Sequence, residues 1–302
     1  MDTSYYLLMR SVTVVNQLNQ KGIALIQVLL LSAILAMMAL QFTLSSRQQV
    51  QQASAFKDKM AAEVELRTLE SRVLMALLSL PLYGPYVDLQ KDDPIGKVWN
   101  FYGKPFAVGD NAEVSIQDVN GLISVYGYGV PNNQPLKQLL INLGKSESEV
   151  KAIIENLANW QGYGSSFGKT LSSKVVRNNY FVSKTELKHI DGINDELYQQ
   201  LAPLVTTLQV TSFNPLVAPL PVMKTAMLAN MAVEFNSLRE RGATLMNRYI
   251  ELNPGYDDDV INLSVGDRFE VHLAVKKNGA VAKRSVIWYI RPLERIPVAW
   301  LQ

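Results

Sequence analysis

The sequence predicts an α+β fold: a long amino-terminal helix packed on an antiparallel sheet, with an all-helical block inserted between the strands. Three observations carry this. No glycine or proline interrupts the run from Ile23 to Leu80. Short alternating apolar segments flank Asp118-Val119-Asn120-Gly121 and, near the end, Lys277-Asn278-Gly279. Between those two regions, from Pro135 onward, the apolar spacing changes to mostly three and four residues.

The helix comes first. Ile23–Leu40 reads IALIQVLLLSAILAMMAL, interrupted only by Gln27 and Ser32. That is about 18 residues, close to the roughly 20 that cross a bilayer. A secretory signal peptide has a shorter apolar core followed by a small-x-small cleavage site, whereas this pattern continues straight through Gln41 into polar sequence. Arg10 and Lys21 precede the span, which places the leading segment on the cytoplasmic side. Beyond it, Val50, Ala53, Met60, Val64, Leu69, Val73, Leu77 and Leu80 are read as the apolar face of an amphipathic continuation. Arg47, Gln48, Lys57, Asp58, Glu63, Arg67 and Glu70 fall between them, and Pro81, Gly84 and Pro85 stop the helix.

The remaining elements follow in order. Glu113–Gln117 and Leu122–Tyr126 read as two strands of a hairpin turning at Asn120-Gly121. Leu136, Leu139, Leu140 and Leu143 predict a helix ended by Gly144. Val150, Ile153, Ile154, Leu157 and Trp160 predict another, with Ser146 or Ser148 as its cap. Thr185–Ile190 and Asp195–Leu201 read as two short helices around Asp191-Gly192, with His189 packed and partly buried, and Met223–Arg241 as one further helix. Val260–Leu263, Arg268–Val275 and Val281–Ile290 alternate as strands, and Pro292 and Pro297 then end regular structure.

Composition narrows the chemistry. The chain has 302 residues, with 29 basic against 27 acidic side chains, no cysteine and two histidines, His189 and His272. A net charge of +2 lacks the basic bias of a polyanion binder. Thiol catalysis, disulfides and cysteine metal sites are excluded. Gly164-Ser165-Ser166-Phe167-Gly168 matches G-x-S-x-G in letters, but it follows a helix where a nucleophile elbow needs a strand. No catalytic site is expected. Asp257-Asp258-Asp259 offers the oxygen ligands that Ca²⁺ takes, although an acidic run in a loop is more often simply solvated. No other cofactor is expected.

Lys21-Gly22 followed by Ile23-Ala24-Leu25-Ile26-Gln27-Val28-Leu29 resembles the signal of type IV prepilins and type II secretion pseudopilins. An uncut signal anchor is the competing reading of that motif. The resemblance implies cleavage between Gly22 and Ile23 by a prepilin peptidase and N-methylation of Ile23. Gln27 then occupies position five of the mature chain, where most of the family carries glutamate. A neutral residue there fits a subunit with no neighbour beyond it, and glutamine also supplies a helix–helix hydrogen bond. Glu113–Gly121, Ile153–Trp160, Asn178–Gly192 and Phe269–Pro292 narrow the resemblance to the K-type minor pseudopilins of type II secretion. Two departures stand out: Gln161-Gly162-Tyr163-Gly164 replaces the acidic residues that usually follow the tryptophan, and Ser212–Ala218 replaces the family's asparagine-rich stretch.

The resemblance implies a pilin-like fold with a helix-hairpin-helix or SAM-like insertion. It divides the chain into a leader (1–22), the transmembrane half of the long helix (23–42), a pilin-like αβ part (43–134), the helical insertion (135–250) and a closing β part (251–302). It implies a non-enzymatic subunit of the bacterial inner membrane, spanning once, with a periplasmic domain that caps the tip of the secretion pseudopilus and helps initiate its assembly for export of folded proteins. Implied partners are the I- and J-type minor pseudopilins, then the H-type, the major pseudopilin, the inner-membrane assembly platform and the peptidase. Contact with secreted substrates is compatible with it. The alternative is a minor pilin of a type IV pilus or DNA-uptake machine, binding DNA through the helix-hairpin-helix at Leu187–Leu201. Asp191, Asp195 and Glu196 surround that hairpin and oppose a phosphate, so no nucleic-acid partner is expected.

Overall fold

The computed structural model describes residues 4–79, 95, 99–163, 177–240, 245–253, 261–291 and 297–301, with 4–22 as backbone alone. In chain order the elements are α1 (Ser4–Ser79), β1 (Phe106–Val108), β2 (Ala112–Asp118), β3 (Ile123–Ser124), α2 (Gln134–Asn142), α3 (Glu147–Trp160) and α4 (Asp195–Leu201). They continue with β4 (Val205–Thr206), α5 (Leu220–Ala226), α6 (Ala229–Glu240), α7 (Met246–Leu252), β5 (Arg268–Lys277), β6 (Ala280–Ile290) and β7 (Val298–Leu301). The α+β class is the one expected. Contacts divide the chain within α1, into Met1–Ala61 and Ala62–Gln302.

In the second unit, α1 buries Ala62, Leu66, Leu69, Val73, Ala76 and Leu77, a stripe spaced by one, three and four residues. The expected apolar face needs correcting here. Val64 is 61% exposed and, in the first unit, Val50 is 70% exposed. The expected series steps five residues from Val64 to Leu69, which on a helix of 3.6 residues per turn rotates by about 140° and leaves the face. The sequence holds two apolar stripes, and the sheet selects only the second.

That sheet has five strands in the order β1-β2-β5-β6-β7, all pairs antiparallel. Val114 lies opposite Leu273, and Ile116 opposite Val271, so one face collects the apolar side chains. They pack with Leu66, Leu69, Val73, Leu77 and Trp288 into one core. β5 and β6 form the hairpin expected at Lys277-Asn278-Gly279, with Asn278 at φ 49° and Gly279 at φ 84° as a two-residue turn of this hand requires.

The expected hairpin over 113–126 does not form. β2 pairs with β1 and β5, a 3-10 turn covers Val119–Gly121, and β3 pairs in parallel with β4 away from the main sheet. The Asp118 side chain accepts the Asn120 N–H and caps that turn, so the chain leaves the sheet there. Two further corrections concern the ends of elements. Pro297 does not end regular structure, because β7 follows it on β6. Of the expected strand 260–263, Val260 lies outside the described residues, and Ile261 makes a single bridge to Phe213.

The helical block has its own core, including Leu136, Leu139, Leu140, Val150, Ile153, Leu157, Leu187, Leu197, Leu201 and Phe235. Ser146, not Ser148, caps α3, in a reciprocal box with Glu149. Met223–Arg241 is not one helix: Met227 is extended and separates α5 from α6. Val222 and Met223 are buried from α5, Ala232 and Phe235 from α6. On one continuous helix those pairs would face opposite sides, and the break brings both onto the same core.

Leu66→Ala should lower stability by about 2–5 kcal/mol, while Val64→Ala should change it by less than ~0.5 kcal/mol. Denaturant unfolding of the full chain in detergent checks the pair. Equal losses would mean that the buried stripe is wrongly assigned.

Candidate functional site

Three places combine chemistry with position: the apolar stretch of α1, the polar junction beside β2, and the turn between the two short helices that end at Leu201.

The first is uniform. The helix from Ile23 has an 18-residue window with mean hydropathy 2.6, and none of that window is buried. It is long and apolar enough to cross a membrane. The Ser32 hydroxyl donates to the Leu29 carbonyl at 2.9 Å, and the Thr43 hydroxyl to Ala39 at 2.8 Å. Those hydroxyls are therefore satisfied within the helix. Gln27 is exposed on this stretch, and its amide can meet a group from a neighbouring helix. Ile23 is 57% exposed.

In the second unit, α1 carries acidic residues toward the β5–β6 hairpin. Glu65 pairs with Lys277 at 2.7 Å and accepts from Asn111, and these hydrogen bonds hold its carboxyl below the usual range. Arg284 bonds Glu70 at 2.6 Å and also pairs with Glu63. Lys277 and Arg284 thus tie the hairpin to the helix through three carboxylates. Val64 and Met75 stay exposed away from the buried stripe.

The junction joins the sheet core to the helical block. Asp118 is fully buried, and its two oxygens accept N–H groups of Asn120 at 2.9 Å and Gly266 at 2.6 Å. Burial pushes its carboxyl up to about 6, against those two hydrogen bonds and the nearby Arg268, with Asp267 adding to the rise. Gln117 donates to the Val217 carbonyl at 3.0 Å, and the Asn214 N–H donates to Asn120 O at 2.8 Å. Gly121 has no room for a side chain, since a Cβ would lie 2.4 Å from the Val217 carbonyl oxygen. Farther out, Lys184 meets Glu270 at 2.6 Å. Burial opposes ionisation of Glu270, but His272 and Lys184 together hold its carboxyl low. Arg239 of α6 lies 3.7 Å over the Tyr102 ring and donates to the Leu216 and Ala218 carbonyls, while burial draws it down to about 10.

The third place is the turn after the 3-10 helix Lys184–His189. Ser183 and Glu186 cap that helix reciprocally, and Asn194 caps α4. His189 is exposed and stacks on Trp160 with centroids 6.0 Å apart, which corrects the expectation of a partly buried packing residue. Both rings sit near helix ends, and no spacing rule signals a stack between residues so far apart in the chain.

Among the described residues no group of three or more His, Asp or Glu is placed to hold a metal ion. Asp257, Asp258 and Asp259, and the stretch Gly164–Gly168, lie outside the described residues. Gly22 and Ile23 lie within α1, whose backbone is helical on both sides of the bond between them.

Residues 118–210 match a sequence profile of the family described as type II secretion system (T2SS), protein K. A curated relative, "Putative type II secretion system protein K" of Escherichia coli (strain K12), is 22% identical over 220 residues, 65% of this chain. The chain thus spans 65% of that relative's length. A solved chain in the crystal structure of the GspK–GspI–GspJ complex from the enterotoxigenic Escherichia coli Type 2 Secretion System is 14% identical, with a TM-score of 0.49. That comparison covers 85% of this chain and 97% of the other. The family matched is the one that Glu113–Gly121, Ile153–Trp160 and Asn178–Gly192 resemble.

Asp118 sets a pH dependence. Its folded pKa of about 6 exceeds the unfolded 3.8, so its contribution to stability is full below pH 3.8 and is lost as pH rises through about 6. At 1.36 kcal/mol per pKa unit the swing is about 3 kcal/mol. Asp118→Asn should flatten that part of the stability profile, measured by denaturant titration between pH 4 and 7. Parallel profiles for the two proteins would contradict the assignment.

Proposed function

We propose that this chain is a K-type minor pseudopilin of a type II secretion system, a structural subunit with no catalytic activity of its own. The match over 118–210 carries the reading. The helix supports it: α1 is apolar from Ile23 to Leu40 apart from Gln27 and Ser32, as a stem among lipid and neighbouring stems requires, and it buries one stripe where it meets its own sheet.

On this reading the peptidase cuts between Gly22 and Ile23, and Ile23 becomes the methylated amino terminus. The stretch 23–42 anchors the subunit in the inner membrane, with the leader cytoplasmic and the remainder periplasmic. Gln27 replaces the usual carboxylate, so the subunit places no charge in the bilayer that requires a partner's amine. The helical block widens the subunit beyond what a tightly wound filament repeats. Both features suit the tip of the pseudopilus, where the subunit caps the filament and helps start its assembly.

Its partners are then the I- and J-type minor pseudopilins, with the H-type and major pseudopilin below and the assembly platform in the membrane. Val64 and Met75, exposed on α1 away from its buried stripe, offer apolar contact outside the bilayer. Burying such surface contributes roughly 25 cal/mol per Å². The domain division is proposed in the same terms, with 43–134 and 251–302 forming the pilin-like part around the insertion 135–250.

Mass spectrometry of the mature protein should find an N-methylated Ile23 at the amino terminus. Gly22→Val should leave the leader attached and the protein in the membrane but outside the assembled complex. Normal processing of that variant, or an intact Met1 in the wild type, would reject the pathway. Co-expression with I- and J-type subunits should recover a complex by pull-down, and failure with both would reject the tip assignment.

A further inference from the structure

The turn after the 3-10 helix Lys184–His189 bounds a groove of about 720 Å³ lined by Trp160, Lys188, His189, Asp191, Gly192 and Asn194, with Ile190 and Ile193 beneath. We infer that this groove binds a neutral oligosaccharide, with a sugar ring stacked on the Trp160–His189 pair. This goes beyond the assembly role and does not rest on it.

The groove is preorganised. The Trp160 indole N–H donates to Glu186 at 3.3 Å, and Glu186 is itself fixed by Arg177 at 3.2 Å and by the capping box with Ser183. On the other wall, Asn156 donates to the Asp191 carbonyl at 2.9 Å. Gly192 sits at φ +96°, and a Cβ there would come within 2.7 Å of Ile153 Cγ1, so the turn closes tightly onto α3. A site whose side chains are already held loses less entropy on binding.

Its surface chemistry selects the ligand class. Ile190 and Ile193 are only 4% and 5% exposed, so the accessible floor is aromatic and polar instead of aliphatic. Anions are disfavoured. Lys188 is paired with Asp195 at 3.2 Å and held 4.6 Å from the Tyr198 ring centroid, while Asp191, Asp195 and Glu196 are all exposed nearby. The helix that begins at Asp195 has seven residues and supplies no anion site of its own. A pyranose instead offers a C–H face for the ring pair and hydroxyls for the Asp191 carboxylate and the Asn194 amide. With Lys188 paired to Asp195, the rim offers carboxylate acceptors for hydroxyl donors, which suits a sugar without acidic groups.

The test uses the full chain in a detergent without a sugar headgroup, because a maltoside would compete. Saturation-transfer NMR is run with two probes: triacetylchitotriose for amino-sugar glycans and maltotriose for plain glucans. Transfer to the ring C–H protons of either probe is expected, and the stronger arm identifies the glycan source. Exposed His189→Ala should weaken binding by about tenfold, the scale of one lost ring contact, with Trp160→Phe falling between. Unchanged thermal unfolding of His189→Ala confirms that its fold is intact. Overturning results are no transfer to either probe at millimolar concentration, binding unaffected by both variants, or competition at these residues by inorganic phosphate or duplex DNA but not by sugar.

Discussion

A helix can press only one face onto a sheet, and the rest of this molecule depends on where α1 does so. From Ala62 to Leu77 one stripe meets the apolar faces of β2, β5 and β6, and Trp288 closes the core. The stripe supplies six of the buried side chains in the core that holds Val114, Val271 and Val275, so losing it would expose that face of the sheet. Arg284 and Lys277, reaching Glu63, Glu65 and Glu70, set the helix in register. The pairs with Glu63 and Glu65 are partly exposed, so they specify alignment more than they add stability.

The second constraint is the joint between two cores. A helical block inserted into a sheet must leave and re-enter it without abandoning backbone polar groups in the interior. Asp118 meets that demand. Its carboxylate takes the N–H groups of Asn120 and Gly266, one on each side of the insertion, while Asn214 bonds Asn120 and Ser264 in the same way. Burial strips water from a charge held there, which is why its pKa rises. Lys184 and Arg239 add links at the rim, each reaching from the helical block to the sheet part.

What could be read in advance follows from how local each signal is. The unbroken α1, the Asn278-Gly279 hairpin, the serine cap (at Ser146, one of the two serines the sequence offers) and the paired helices around Gly192 depend on residues a few positions apart, and all stand as expected. Asn120-Gly121 carries the same turn signal as Asn278-Gly279 yet forms no hairpin, because Asp118 beside it and Val217 from within the insertion impose a different path. The α5–α6 break has no proline or glycine to announce it and exists to bring Phe235 and Met223 onto one core. Trp160 and His189 form their stack across a separation that no periodicity reports.

By itself the sequence determined that an apolar helix leads a mixed α and β domain, and the order of its helical and strand regions. Its motifs pointed to the secretion family that the comparison over 118–210 also matches. Composition and breakers suffice for that, since they act through neighbouring residues. Only the tertiary structure decided which stripe of α1 is buried, that β2 lies between β1 and β5, and that a carboxylate from β2 locks the insertion in place. Those outcomes are set by burial and by hydrogen bonds between distant segments, which a linear pattern does not encode.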